Sequence, residues 1–135
     1  MATKVQIKRV YEEPDADDGY RVLVDRLWPR GVRKDALQLD EWAKQVAPST
    51  EARKQFAHQA DRFDDFKGRY LQELDTNPAA DEFVEEVRSL AGQHAGNLTV
   101  TLLYAARDPE VNHAVVLRDW LERRLAQPAG DSGRR

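Results

Sequence analysis

The stretch that decides the fold is L-T-V-T-L-L-Y, residues 98–104, in which apolar and β-branched side chains dominate. This composition predicts a strand at the centre of a sheet, covered on both faces. A polar loop follows at residues 105–112, and apolar residues then recur at helical spacing. They are Ala114, Leu117, Leu121 and Leu125. A central strand that leads through a loop into an amphipathic helix is typical of an α/β domain.

Two more strands are expected near the N-terminus. Val5 to Tyr11 alternates apolar and polar residues, which predicts a half-buried strand. Tyr20 to Val24 is more uniformly apolar and predicts a second strand. Between them, Glu12 to Gly19 is acidic and contains a proline and a glycine, which indicates a solvated surface loop.

Helices are predicted between the second strand and the central one. Residues suited to accept hydrogen bonds at a helix N-terminus precede four amphipathic segments: Asp40, Ser49, Asp61 and Asn77, with Pro78 at the first helical position of the last. The segment after Asp40 would be short, with Trp42 and Val46 inward. The helix after Ser49 would reach about His58, and Gly92 or Gly96 would end the last of the four. Either Asp108 or Asn112 could cap the C-terminal helix.

We therefore expect an α/β fold, with one compact domain over residues 1–126. Its small, mostly parallel sheet would be flanked by helices. Residues 127–135 are polar and contain glycine and proline, which predicts a flexible tail.

Composition narrows the function. The net charge is −3 over 135 residues, which argues against a general nucleic-acid or membrane binder, because such proteins rely on excess lysine and arginine. No cysteine is present, so thiolate nucleophiles, disulfides and cysteine-bound metals are excluded. No apolar run approaches the ~20 residues of a membrane span, and the N-terminus lacks a signal-peptide core. We expect a cytoplasmic protein that does not contact membranes.

The candidate site begins with D-R-L-W-P-R-G, residues 25–31, directly after the second strand. Pro29 restricts its own backbone, and Gly31 permits a left-handed turn. If the second and central strands are parallel, this loop and the loop after Tyr104 open at the same edge of the sheet. Ligands of α/β sheets bind at that edge.

Arg26, Arg30 and Arg107 are the candidate anion ligands, because a guanidinium matches a carboxylate or phosphate. Trp28 could form a pocket wall, Tyr104 could donate a hydrogen bond, and a helix starting near Asn112 would offer backbone N–H groups. We expect Arg26, Arg30, Tyr104, Arg107 and His113 to line one concave surface. Alternatively, the arginines pair with Asp25, Asp35 and Asp108 as structural ion pairs, and Trp28 belongs to the core.

His113 is the candidate acid–base residue, with Asp108 or Asp25 to orient it. The alternative is a surface or helix-capping histidine. The three histidines are scattered, and no nucleotide-binding or hydrolase signature is present, so we predict neither a metal nor a cofactor.

Several motifs together resemble the short, YeaO-like branch of the domain of unknown function 488 family. They are D-R-L-W-P-R-G (25–31), L-D-E-W-A-K (39–44), A-P-S-T (47–50), R-F-D-x-F-x-x-R-Y (62–70), and T-L-L-Y-A-A-R-D (101–108) followed by N-H-A-V-V-L (112–117). The resemblance implies a compact α/β domain with a site made of the two motif loops. Many members of that family carry cysteine where Tyr104 stands and a C-H-R triplet where this chain has Asn112-His113-Ala114. Thiol chemistry of such relatives therefore cannot be transferred.

Three functions follow as hypotheses. The first is binding of a small anionic molecule, such as a phosphate, carboxylate or nucleotide, in an arginine-lined pocket. The second is an enzyme acting on such a substrate through His113. The third is an adaptor for protein or nucleic acid that uses Trp42 and Trp120, and the position of Trp120 on the last helix leaves a homodimer open.

Overall fold

A parallel sheet forms the centre of the computed structural model, which describes residues 3–57, 59–95 and 97–127. Within these residues the strands are β1 (Lys4–Arg9), β2 (Tyr20–Leu23), β3 (Glu41–Trp42) and β4 (Thr99–Tyr104). Their order is β1-β4-β2-β3, and every neighbouring pair is parallel. The predicted α/β class and the central place of the strand at residues 98–104 are confirmed.

The helices of the described residues are α1 (Lys34–Leu37), α2 (Thr50–Phe56), α3 (Phe63–Thr76), α4 (Pro78–Gln93) and α5 (His113–Ala126). Two predicted caps are confirmed by their hydrogen bonds: Ser49 accepts from the N–H of Ala52, and Asn77 accepts from that of Ala79. At the last helix, Asn112 is the cap, since its side chain accepts from the N–H of Val115.

The predicted helix after Asp40 is wrong. Glu41 and Trp42 instead pair with Val22 and Leu23 as the edge strand β3, and only Lys44–Val46 forms a short 3₁₀ turn. The carboxylate of Asp40 accepts from the backbone N–H of Arg21 at 2.8 Å, so it braces the strand pair. A contact with a distant strand therefore outweighs the local capping signal.

Two helix limits also differ from the prediction. Asp61 lies inside a 3₁₀ turn, Ala60–Arg62, and the α-helix begins two residues later at Phe63. Gly92 lies within α4, which ends at Gln93, while Gly96 lies outside the described residues. The predicted tail falls mostly on residues 128–135, which are also outside them.

The sheet has two differently covered faces. On one, side chains of β1, β2 and β4 pack against the buried faces of α2 to α5, and this main core includes Phe66, Tyr70 and Leu117. On the other, Leu23 and Leu103 pack against α1 and its flanking loops through Leu37 and Trp28. The longer helices thus lie on one side of the sheet, and a shorter segment covers the other. None of the described helices combines the length and the apolar character that a membrane crossing requires.

The acidic segment before β2 is not the wholly solvated loop that its composition predicts. Asp18 is 2% exposed, and its carboxylate pairs with Lys8 and Arg21. Gly19 has a φ of +65°, and a Cβ there would lie 2.3 Å from the carbonyl oxygen of Thr99. Glycine thus permits the close approach that brings Asp18 under the sheet.

Candidate functional site

The loops after β2 and β4 meet at the carboxyl edge of the sheet, because the two strands are parallel neighbours. Asp25 joins them: its Oδ2 accepts from the N–H of Ala105 at 3.0 Å. Its backbone carbonyl accepts from Trp42 Nε1 at 2.8 Å, which ties the same residue to β3. Gly31 has a φ of +80°, as the predicted left-handed turn requires. Asp25 is thus held by two hydrogen bonds before any ligand binds.

His113, the first residue of α5, faces Asp25. Its Nε2 lies 2.9 Å from Asp25 Oδ1 and 3.2 Å from the carbonyl oxygen of Val24. The N–H direction suits the carbonyl, and Oδ1 has no hydrogen bond among the described residues, so the contact with the carboxylate is chiefly electrostatic. Since both neighbours of Nε2 are acceptors, Nε2 carries a proton. In the neutral ring Nδ1 is then the free acceptor.

A cavity of about 280 Å³ opens beside this pair, and we call it the edge cavity. Its polar lining comes from the loop after β2, from α2 and from the start of α5: Asp25, Arg26, Arg53, Asn112 and His113. Its apolar lining consists of Leu27, Pro48, Phe56, Phe66, Ala105 and Ala106. The edge cavity therefore combines two guanidinium groups with an aromatic wall.

The two arginines differ in how they are held. Arg26 donates from Nε to the carbonyl of Pro48 at 3.2 Å and from Nη2 to that of Ala47 at 3.3 Å, which fixes its plane. Arg53 extends from α2, and its buried Nε has no hydrogen-bond partner among the described residues. Neither arginine forms an ion pair with a described carboxylate. A buried donor without a partner is costly, so the described residues leave Arg53 incompletely satisfied.

Arg53 is not among the site residues predicted from the sequence, although a signal for it is present. It lies three residues before the buried Phe56, on the same face of α2. In α2, which is only seven residues long, Arg53 is also the fourth helical residue after the cap Ser49. Helical periodicity alone would therefore have placed an arginine beside the aromatic wall.

Of the predicted site residues, Asp25, Arg26, Asn112 and His113 come together in the edge cavity. The expected concave surface is not formed as predicted, since Arg30 and Arg107 are exposed on their loops and Tyr104 is buried in the main core. Tyr104 follows the alternation of β4, which turns it toward the helices together with Val100 and Leu102. Arg30, Arg107 and Tyr104 therefore do not share one surface, and the ligand-binding roles proposed for them stay predictions.

Trp28 and Asp108 also lie outside the cavity lining. Trp28 belongs to the second core cluster, donates to the carbonyl of Val32 at 2.7 Å and packs edge-on against Trp42. Asp108 shapes its own loop, because its Oδ1 accepts from the N–H groups of Glu110 and Val111. The carboxylate next to His113 is thus Asp25. The alternative pairing of Arg26, Arg30 and Arg107 with Asp25, Asp35 and Asp108 does not occur among the described residues.

Asn112 has a structural task at the cavity. Besides capping α5, it donates from Nδ2 to the carbonyl of Asp108 at 2.7 Å, which holds the preceding loop against the helix. Beneath His113, Tyr70 packs its ring at 6.5 Å and donates to the carbonyl of Val46. Burial raises the pKa of Tyr70, so its phenol stays neutral. In the part of the chain that the structure describes, no three carboxylate or imidazole side chains converge as metal ligands would.

Comparison with known proteins gives a consistent family match. Residues 4–134 match the model of the inactive DUF488-N3 subclade. The chain is 44% identical over 117 residues to the uncharacterized protein YeaO of Escherichia coli strain K12, which covers 87% of this chain and 96% of YeaO. It is 45% identical over 122 residues to the uncharacterized protein Rv3073c of Mycobacterium tuberculosis strain H37Rv, covering 90% of this chain and 97% of the relative. No solved structure matches.

Proposed function

Because the chain belongs to the inactive DUF488-N3 subclade of the DUF488 family, we propose that it binds a small anionic molecule in the edge cavity without transforming it. The subclade is described as inactive, and the residues that line the edge cavity include no serine, threonine, cysteine or lysine to act as a nucleophile. A binding role requires only a charged, partly enclosed site.

The observation that carries the proposal is the pair of arginines at one cavity. Arg26 is held in place by two carbonyl groups, and Arg53 has a buried donor that nothing else satisfies among the described residues. The N-terminal end of α5, which begins at His113, adds a partial positive charge at the same place. A carboxylate or phosphate placed there would lie beside the positive charges of both Arg26 and Arg53.

The carboxylate of Asp25 does not cancel this attraction. One of its oxygens accepts from the N–H of Ala105, and the other lies 2.9 Å from Nε2 of His113 but has no hydrogen bond among the described residues. Each oxygen therefore has a proton-bearing nitrogen of the protein as a neighbour. This arrangement reduces the repulsion that an incoming anion would meet.

The second candidate is an enzyme in which His113 exchanges a proton with the bound molecule. Its support is the contact of 2.9 Å between His113 and Asp25, since a carboxylate that fixes an imidazole is a recurring feature of acid–base catalysis. With Nε2 held by two acceptors, Nδ1 is the atom that would act.

A thermal-shift and calorimetric screen of small anions tests the proposal. A ligand at 100 times its dissociation constant adds about 2.7 kcal/mol to the free energy of unfolding, which is easily measured. We expect Arg53→Gln and Arg26→Gln to weaken the binding of any hit, while Arg107→Gln, the same change on an exposed loop, leaves it intact. Equal binding by all variants would refute the site. Turnover of a hit that His113→Gln abolishes would favour the enzyme.

A further inference from the structure

The chemical class of the ligand can be narrowed from the apolar part of the edge cavity, on the condition that the proposed anion site exists. The rings of Phe56 and Phe66 stack at a centroid distance of 4.7 Å and an angle of 20°, and Phe63 lies beside Phe56 at 5.6 Å. Leu27, 66% exposed, projects at the same cavity. Phe56 and Phe66 are 5% and 2% exposed, so Leu27 offers most of the apolar surface here that stays in contact with water. Inorganic phosphate would leave the side chain of Leu27 in water, whereas an apolar group attached to the anion would cover it.

The charges of the lining set the charge of the ligand. Arg26 and Arg53 each carry one positive charge, and Asp25 carries one negative charge. The two guanidinium groups and the carboxylate together carry one net positive charge, which a monoanion balances. A dianion would leave an uncompensated charge in a partly enclosed site, where such charges are costly.

The volume of the edge cavity limits the size of the ligand. At about 280 Å³, the edge cavity lies just below the roughly 300–1,000 Å³ of pockets that hold drug-sized ligands. A single ring with one acidic group is of the right size.

We infer that the edge cavity binds a monoanionic carboxylate attached to one aromatic ring or a branched apolar group of similar size. The carboxylate lies between Arg26 and Arg53, and the apolar body lies against Leu27 and the small part of Phe56 and Phe66 that lines the cavity. Leu27 supplies most of the apolar area that binding removes from water, and the arginines supply the selection for charge.

The test is a calorimetric titration of the full chain with four probes: benzoate, acetate, inorganic phosphate and benzyl alcohol. Benzoate keeps both the charge and the ring, acetate lacks the ring, phosphate lacks the ring and carries a different charge, and benzyl alcohol lacks the charge. We expect benzoate to bind about tenfold or more tightly than acetate or phosphate, because burial of the ring adds to the charge contact. Benzyl alcohol should bind more weakly than benzoate, since it lacks the anion.

Variants separate the two contributions. Arg53→Gln should weaken benzoate and acetate alike. Phe66→Leu should reduce the preference for benzoate over acetate, and Leu27→Ser, a change at an exposed side chain that does not threaten folding, should reduce it in the same direction. Arg107→Gln should change neither the affinity for benzoate and acetate nor the preference for benzoate.

The outcomes distinguish the ligand class from the anion site itself. Phosphate or acetate binding as tightly as benzoate, with sensitivity to Arg53→Gln, would overturn the aromatic monoanion and leave the anion site standing. Benzyl alcohol equal to benzoate, or no effect of Arg53→Gln on any probe, would overturn both. If none of the four probes bound measurably, that result would also count against both proposals.

Discussion

The molecule holds two groups of charged side chains away from water, and they are satisfied to different degrees. One group, Lys8, Asp18 and Arg21, lies under the second face of the sheet, and we call it the ion-pair cluster. Arg21 donates to the carbonyls of Leu37 and Gln38 as well as to Asp18. In the edge cavity, Arg53 has a buried nitrogen without a partner among the described residues.

The pKa of Asp18 shows how fully the charges of the ion-pair cluster are satisfied. Burial would raise it, but hydrogen bonds from the backbone N–H of Asp15 and from the side chains of Lys8 and Arg21 outweigh burial and lower the pKa. Each charge of the ion-pair cluster is thus used by the fold itself. The proposed anion site rests on the incomplete satisfaction of Arg53, for which no described residue supplies the missing acceptor.

Asp18→Ala should give the largest effect, because it leaves Arg21, 4% exposed, without its carboxylate. Breaking a buried pair on one side typically costs about 3–5 kcal/mol in the free energy of unfolding. Chemical denaturation of the variant measures this loss of unfolding free energy. The control is Asp17→Ala at the exposed neighbour, for which we expect a change within about 0.5 kcal/mol. A loss for Asp18→Ala no larger than that of the control would mean that the ion-pair cluster is not structural.

The two apolar faces of the sheet provide a second comparison. Phe66→Ala in the main core and Leu103→Ala in the second cluster should each cost on the order of 2–5 kcal/mol, as truncations in a packed core. The denaturation midpoints of both variants test this. A midpoint that hardly moves for Phe66→Ala would show that the aromatic wall of the edge cavity does not support the fold.

The carboxyl pair of Glu41 and Glu86 extends the comparison, because neither residue forms an ion pair within the described part of the chain. Burial and the neighbouring Glu41 raise the pKa of Glu86 to about 7. The folded state therefore binds this proton more tightly than the unfolded chain. The resulting penalty is absent below pH 4.5, grows as the pH rises toward 7, and is complete above 7.

Glu86→Gln should accordingly stabilise the protein at pH 8 and leave it nearly unchanged at pH 4.5. The side chain is exposed in part, so solvent screens the repulsion, and we expect a gain below about 1 kcal/mol. Thermal unfolding of both proteins across this pH range is the measurement. A benefit that is equal at both pH values would show that titration of Glu86 is not its source.

The smallest expected effect on stability belongs to Arg53→Gln. If Arg53 is held for a ligand, replacing it removes an unsatisfied buried donor and leaves the unfolding free energy of the empty protein unchanged or slightly higher. Arg21→Gln, the matched change in the ion-pair cluster, should destabilise clearly. Denaturation curves of Arg53→Gln and Arg21→Gln, recorded without added anions, provide this comparison. A loss for Arg53→Gln as large as that for Arg21→Gln would show that Arg53 supports the fold.

Much of the fold follows from signals that are local in the chain. Ser49, Asn77 and Asn112 cap helices because each side chain reaches an N–H group two or three residues ahead. The apolar pattern of residues 98–104 likewise suffices for a central strand. The meeting of the loops after β2 and β4 follows too, once those strands are taken as parallel, and it accounts for the predicted proximity of Asp25, Arg26 and His113.

What local signals could not supply is the choice among distant partners. Asp40 has the chemistry of a helix cap, yet strand pairing brings it to the N–H of Arg21. Asp18 has the surroundings of a surface loop, yet Lys8 and Arg21 make its burial favourable. Arg53 becomes part of the lining of the edge cavity only because α2 packs at the edge of the sheet. Such pairings depend on three-dimensional distances between residues far apart in sequence, so hydrogen bonding and desolvation across the packed elements settle them.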